Sequence, residues 1–544
     1  MKRIFLLLII SFFSFSQKIQ VDLIVKNGLV YTVDGLFSKQ EAFAVKDGRF
    51  IETGTNATIL KKFKAKTTVD AGGKVIFPGF YDPHSHFLGL GQMLGQCDLV
   101  ETKSFEEIIQ KLKIFAIQYP DNQWIIGRGW DQNDWAEKVF PDKKLLDDAF
   151  PNRPVALTRI DGHAVVANSK AIALAKVSAN SKVDGGEVVL KNGQLTGVFI
   201  DNAMGLIKRV IPQISEAEKR KMLLDSQAEC LKFGLTTVSD AGLNQDDIEL
   251  IDAMNKEKSL KIRNYVMVSL GIRNLEYFIK KGIYKTDHLN VRSFKLYADG
   301  ALGSRGACLL KPYSDEATTS GFLLLSAAEL DRNLGIIAQS DFQANTHCIG
   351  DSANRLILDI YGKYLKTKND RRWRIEHSQV VDGQDINKFG QFSIIPSIQA
   401  THGTSDMYWA DARLGAERVK NAYAFQDLLK QNGFLCNGSD FPVEYVNPIF
   451  GFHAAVTRQD SKNFPAGGFQ MENALSREQA LKSMTIWSAY SNFEEKERGS
   501  IEVGKMADFV ILDADLMKIE NEKMRATKVL KTFIGGEMLY ELKK

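Results

Sequence analysis

The chain has 544 residues, 44% hydrophobic and 25% charged, with a formal net charge of +4. That length exceeds what one small core needs and suits a large body with accessory elements. The ordinary composition excludes collagenous and disordered classes. The lysines are spread along the chain, so nucleic acid is not an expected partner and a small molecule is.

The first residues, Met1, Lys2 and Arg3, are followed by an apolar run from Ile4 to Phe15 that is short for a bilayer span. This is the pattern of a signal peptide over residues 1–16, with Ser14 and Ser16 as the small residues before a cut ahead of Gln17. The expectation is export to the periplasm or the medium, with membrane contact only through that segment if it stays uncleaved. Five cysteines, Cys97, Cys230, Cys308, Cys348 and Cys436, lack CxxC spacing and read as buried free thiols.

Within 17–76, DLIVKNGLVYTVDG and AFAVKDGRFIETG alternate and carry Asn-Gly and Asp-Gly, the hairpin signature of a small β-domain. The tail over 498–544 repeats the style in GSIEVGKMADFVILDAD and KTFIGGEMLYEL, so the two ends are expected to pair into one composite β-sandwich. Between them, over 77–497, LTTVSDAG, VRSFKLYADG, QANTHCIGD, RWRIEHSQ, FSIIPSIQ and FLCNGSD alternate with helical patterns. That alternation predicts an α/β fold, a (β/α)8 TIM-like barrel whose chemistry sits at the carboxyl ends of the strands. A long stretch of about 98–202, rich in Trp, reads as an inserted subdomain covering the site. There are no solenoid-period repeats.

His84 and His86 are two apart, so in extended chain both imidazoles can face one metal. An HxH pair alone is weak evidence. Of only eight histidines, however, His347 and His377 also follow predicted strands, and Asp440 ends the last one. A carboxylate there can ligate a metal and accept a proton from water; the competing reading is a turn Asp capping the next helix.

PGFYDPHSH, THCIGD, RIEHSQ, GSDFPVE and GSIEVGKMADFVILD, in that order, resemble the amidohydrolase superfamily. TRIDGHAVVANSKA and FKLYADGALGSRGA resemble its YtcJ-like branch, which includes N-substituted formamide deformylases. The resemblance covers nearly the whole chain after residue 16. It implies a barrel with divalent metal, zinc by family likeness, one ion or two, held by His84, His86, His347, His377 and Asp440. Lys295 falls where many members carry a metal-bridging, often carboxylated, lysine; a charged lysine pairing with Asp299 or substrate is the alternative.

Asp161 and His163 lie in a branch motif with Asn168. His163 is assigned a catalytic role, polarising a carbonyl or stabilising an oxyanion, and Asp161 a place in substrate binding. Asp299 and Arg305, beyond the fourth strand, could orient substrate, and His402, near the end of the seventh, could bind it. Trp124, Trp130 and Trp135 could form an apolar wall or fill cores. His288 and His453 read as structural.

The chemistry implied is hydrolysis of an amide-type C–N bond, N-formyl or N-acyl, with Asp440 as general base. Deamination, ester hydrolysis or isomerisation could use the same ligands. A non-catalytic binding protein on a degenerate barrel is the distant rival. The sequence leaves a homodimer open.

Overall fold

The computed structural model describes residues 17–120 and 123–543; the expected signal peptide lies outside them. Eight parallel strands form a barrel in the order of the chain: Phe80–Ser85, Leu235–Leu243, Arg263–Ser269, Leu289–Tyr297, Gln343–Cys348, Arg374–His377, Ile395–Ile398 and Cys436–Asn437. The last and first strands meet through their following residues, where the Asp440 N–H donates to the His84 carbonyl at 2.8 Å. A Cβ on Gly438 would lie 2.8 Å from the His84 backbone, so glycine is what allows the approach.

Helices such as Gln245–Lys256, Ala327–Ala338 and Asp351–Leu365 separate the strands. Their starts are written locally: Ser326 caps the second of these by accepting from the Glu329 N–H, while Glu329 returns to the Ser326 N–H. Alternation in the strands sets what faces where. Val266, Val268, Phe294, Leu296, Ala344 and Ile375 point outward into the large apolar core under the helices. The residues between them, including Lys295, His347, Arg374 and Glu376, are buried away from that core, inside the barrel.

Strands from both ends of the chain share one six-stranded sheet. Its order is Glu537–Glu541, Val529–Ile534, Phe509–Leu512, Val75–Pro78, Leu29–Tyr31 and Lys39–Gln40. A four-stranded sheet containing Ile19–Lys26 and Ala42–Lys46 packs on it through Phe43, Phe50 and Phe509. The Phe509 and Phe533 rings stack at 4.2 Å.

A further six-stranded sheet runs between Cys97–Asp98 and Gln194–Asp201, inserted after the first barrel strand. Trp124, Trp130 and Trp135 fill its two cores. The Trp130 indole donates to the Leu157 carbonyl at 2.8 Å and that of Trp135 to Thr102 at 3.1 Å, so neither forms a substrate wall. All five cysteines are free; four are buried and Cys308 is half-buried. Among the described residues no helix is long and apolar enough to cross a membrane.

Candidate metal centre

At the carboxyl end of the barrel, nitrogen atoms of His84 and His377 and an oxygen of Asp440 lie within 4.8 Å of one another. His86 Nε2 approaches Asp440 Oδ1 to 3.1 Å, and His84 Nε2 lies 3.5 Å from the same oxygen. That oxygen is buried and takes no hydrogen bond. Close N···O approaches without hydrogen-bond alignment are what lone pairs aimed at a common centre produce. His347 stands beside them on the neighbouring strand, its ring 4.6 Å from that of His377 and its Nε2 3.5 Å from the Gly300 carbonyl.

Backbone strain aims two of these groups. The outward parity of Ile375 would also send His377 outward, but φ of +73° at His377 turns its ring toward His84. Asp440 likewise has φ of +60°. Left-handed backbone at non-glycine residues is costly and concentrates at functional sites.

The groups behind the ligands fix their tautomers. Glu376 accepts from His84 Nδ1, and Gln399 Oε1 accepts from His377 Nδ1 at 2.7 Å. Each ring therefore presents the Nε2 lone pair to the centre. Burial, with Lys295 next, pushes His84 down to about 4. Burial also holds His347 and His377 well below the ordinary histidine value. Burial by itself would raise Asp440, but His84, His86 and His377 hold its carboxyl well below the usual range. Neutral imidazoles and an ionised carboxylate are a donor set that fits a divalent cation. Lys295 Nζ sits 3.2 Å from His84 Nε2, and burial pushes its amine down to about 8.

The other expected residues separate into two groups. His163 lines the cavity over the centre, its ring 5.2 Å from that of His347, and its Nδ1 is held by Asp201 at 2.5 Å. Burial opposes its charge, but Asp201 outweighs it and raises His163 above the ordinary value. Asp161 lines the same cavity, paired with Arg159 and accepting the His163 N–H at 2.9 Å. His402 stacks on His377, with Nε2 3.9 Å from Asp440 and no hydrogen-bond partner.

Two expected substrate contacts lie elsewhere. Arg305 does not line the cavity; it pairs with Asp315 at 3.0 Å, because the loop turns its guanidinium back onto its own connection. Asp299 is fully buried, accepting the backbone N–H groups of Ile349, Gly350 and Cys308 at 2.8–3.0 Å. It shapes the loop under His347, whose Nε2 lies 3.7 Å from Asp299 Oδ1. Asn168 is a structural knot, accepting from Val155 and Ala171 and donating to Phe150 and Arg153. His288 bonds the Lys261 carbonyl, and His453 is buried in the helix Pro448–Thr457.

Sequence reasoning passed over Glu376, Gln399, Asp82 and Trp409. Asp82, which accepts the Ser439 hydroxyl at 2.6 Å and the His84 N–H at 3.0 Å, ties the two closing strands together. The available signal was an Arg-x-Glu pair inside an apolar strand, since two charges two apart share one face of it.

A barrel whose strand ends gather four histidines, a carboxylate and a buried lysine at one end of its interior fits a metal-dependent hydrolase. The family model described as amidohydrolase family matches residues 67–540, so the chain belongs to the amidohydrolase family, in its YtcJ-like branch. It is 32% identical to the protein LONG AFTER FAR-RED 3 of Arabidopsis thaliana, over 96% of this chain and 92% of that one. It is also 32% identical to YtcJ of Bacillus subtilis (strain 168), over 94% and 98%. Identity to the N-substituted formamide deformylase of Arthrobacter pascens is 25%, over 96% and 98%. Among solved structures, an uncharacterized metal-dependent hydrolase from Pyrococcus horikoshii OT3 superposes with a TM-score of 0.75 and 28% identity, covering 92% of this chain and 99% of that one.

Proposed function

We propose that this protein is an exported amidohydrolase that cleaves an amide-type C–N bond in an N-formyl or N-acyl compound, with zinc as the metal. The observation that carries the reading is the buried Asp440 oxygen, without a hydrogen bond, facing His84 and His86. The likeness to the Arthrobacter pascens deformylase supports the bond type.

His84, His86, His347, His377 and Asp440 hold the cation, which when bound supplies Lewis acidity toward a carbonyl and acidifies water. Asp440 takes the proton of the attacking water and returns it to the leaving nitrogen. His163, oriented by Asp201, donates to the carbonyl oxygen as charge builds there. Lys295 adds a further ligand if its amine is carboxylated, which would favour two ions over one.

Elemental mass spectrometry on the purified chain tests the reading, set beside formate release from N-substituted formamides. One or two metal equivalents, lost in His84→Ala/His86→Ala, with formate released only by the loaded protein, is the expected result. A folded chain that takes up no metal, or a loaded one that cleaves no C–N bond, overturns it. His163→Gln is expected to lower kcat by roughly 10²-fold with little change in KM, the size seen when one oxyanion donor is removed. Steady-state kinetics on a formamide substrate checks this.

A further inference from the structure

Two cavities meet at the centre, both lined by Asp161, His163, His347, His377 and Asp440, and they differ in character. One, of about 460 Å³, is walled by Leu90, Met93, Val100, Leu302, Trp409 and Val446, with carboxylates of Asp134, Asp406 and Glu444 also on it. Its guanidinium, Arg159, is already committed to Asp131 and Asp161. The other, of about 450 Å³, carries Arg128 and Lys208 on its wall beside Lys295 and Tyr297.

Neither Arg128 nor Lys208 forms an ion pair among the described residues, although Asp161 and Asp201 line the same cavity. Arg128 donates only to the Ile160 carbonyl, at 3.0 Å, and its Nε is buried with no partner. Of the carboxylates on this cavity, Asp161 is paired with Arg159, and Asp201 holds His163 through one oxygen while the other, without a hydrogen bond, sits against Gly300 and Gly306. The Lys208 ammonium is pushed down to about 8, by burial first and by Arg128 next. Lys208 is itself an exposed residue, so the placement of two cations on one wall carries more weight than that shift. Like charges set side by side without a protein counter-ion are favourable once an anion lies between them. The acidic groups of the first cavity would repel the same anion, which fixes the orientation.

We propose that Arg128 and Lys208 form a subsite for a substrate carboxylate placed to one side of the scissile C–N bond, while the apolar part of the substrate fills the other cavity. The substrate class is then an N-formylated or N-acylated amino acid with an apolar side chain. This deepens the hydrolase reading and rests on it for the bond that is cleaved.

The test compares N-formylphenylalanine with N-formylphenethylamine, which lacks only the carboxylate. The expected kcat/KM ratio is about tenfold or more in favour of the acid, the scale of one charge-assisted hydrogen bond. In Arg128→Gln/Lys208→Gln the ratio falls to about one, and in Lys208→Arg it is kept. Equal turnover of the two compounds, or an unchanged ratio in the double variant, overturns the subsite and leaves the hydrolase reading standing. If neither compound is cleaved, calorimetry with phenylacetate on chelator-treated protein separates the two ideas. Binding that is lost in the double variant supports the subsite although the hydrolase reading fails, and no binding overturns both.

Discussion

Asp440→Asn lowers kcat by roughly 10²–10⁴-fold without unfolding the chain, the range attributed to a positioned general base. Asparagine keeps the shape of the side chain and loses its ability to accept a proton. The main-chain N–H of residue 440, which closes the barrel onto His84, is untouched by the change. His84, His86 and His377 hold the native carboxyl ionised against its burial, so the base is in its working form throughout the neutral range. Because the same oxygen faces the metal ligands, metal content and kcat are measured on one sample. A variant that retains both full metal and full rate removes Asp440 from the chemistry.

Glu376→Gln has the larger effect on stability. Glu376 is fully buried, with one oxygen on His84 and the other 2.7 Å from Arg374 Nε. Burial alone would raise its pKa, but Arg374 and then His84 hold it far below the ordinary value. A depressed carboxylate contributes stability above its unfolded pKa and loses it as pH falls through the folded one, so the contribution is complete at neutral pH.

Without that charge, Arg374 keeps only neutral partners: Ser491, Asn492, the Pro83 carbonyl and Met267. Breaking such a buried pair costs roughly 3–5 kcal/mol. His84 also loses the carboxylate that fixes its tautomer, and metal affinity is expected to fall about 10- to 100-fold. Denaturant unfolding and metal titration read the two effects separately. Arg374→Met/Glu376→Gln is expected to recover stability but not affinity; if it recovers neither, the pair is not the cause.

The candidate ligand histidines were legible because their strands are short, apolar and end abruptly in polar residues. His347 and His377 therefore stand out at strand ends, and His84 and His86 stand out by their spacing. The barrel was legible for the same reason, since strand and helix periods alternate. Arg305 illustrates the limit: its charge suggested substrate, yet Asp315, ten residues on, takes it, and nothing local distinguishes the two outcomes. Glu376 was missed because its partners, His84 and Arg374, come together only when the first and sixth strands share one interior. Trp130 and Trp135 were ambiguous until their indole N–H groups found backbone carbonyls in the inserted sheet.

By itself the sequence determined the class of fold and put the candidate metal-ligating residues at strand ends, because hydrophobic periodicity and turn chemistry are local properties of the chain. Only the tertiary structure decided which charges are spent on one another and which face the cavity. It brought His377 into the centre against its strand parity through φ of +73°, and it left Arg128 and Lys208 on one wall with no ion pair to a carboxylate among the described residues. Those outcomes depend on distances between residues far apart in sequence, and electrostatic energy is set by such distances and by burial, neither of which is written in the order of residues.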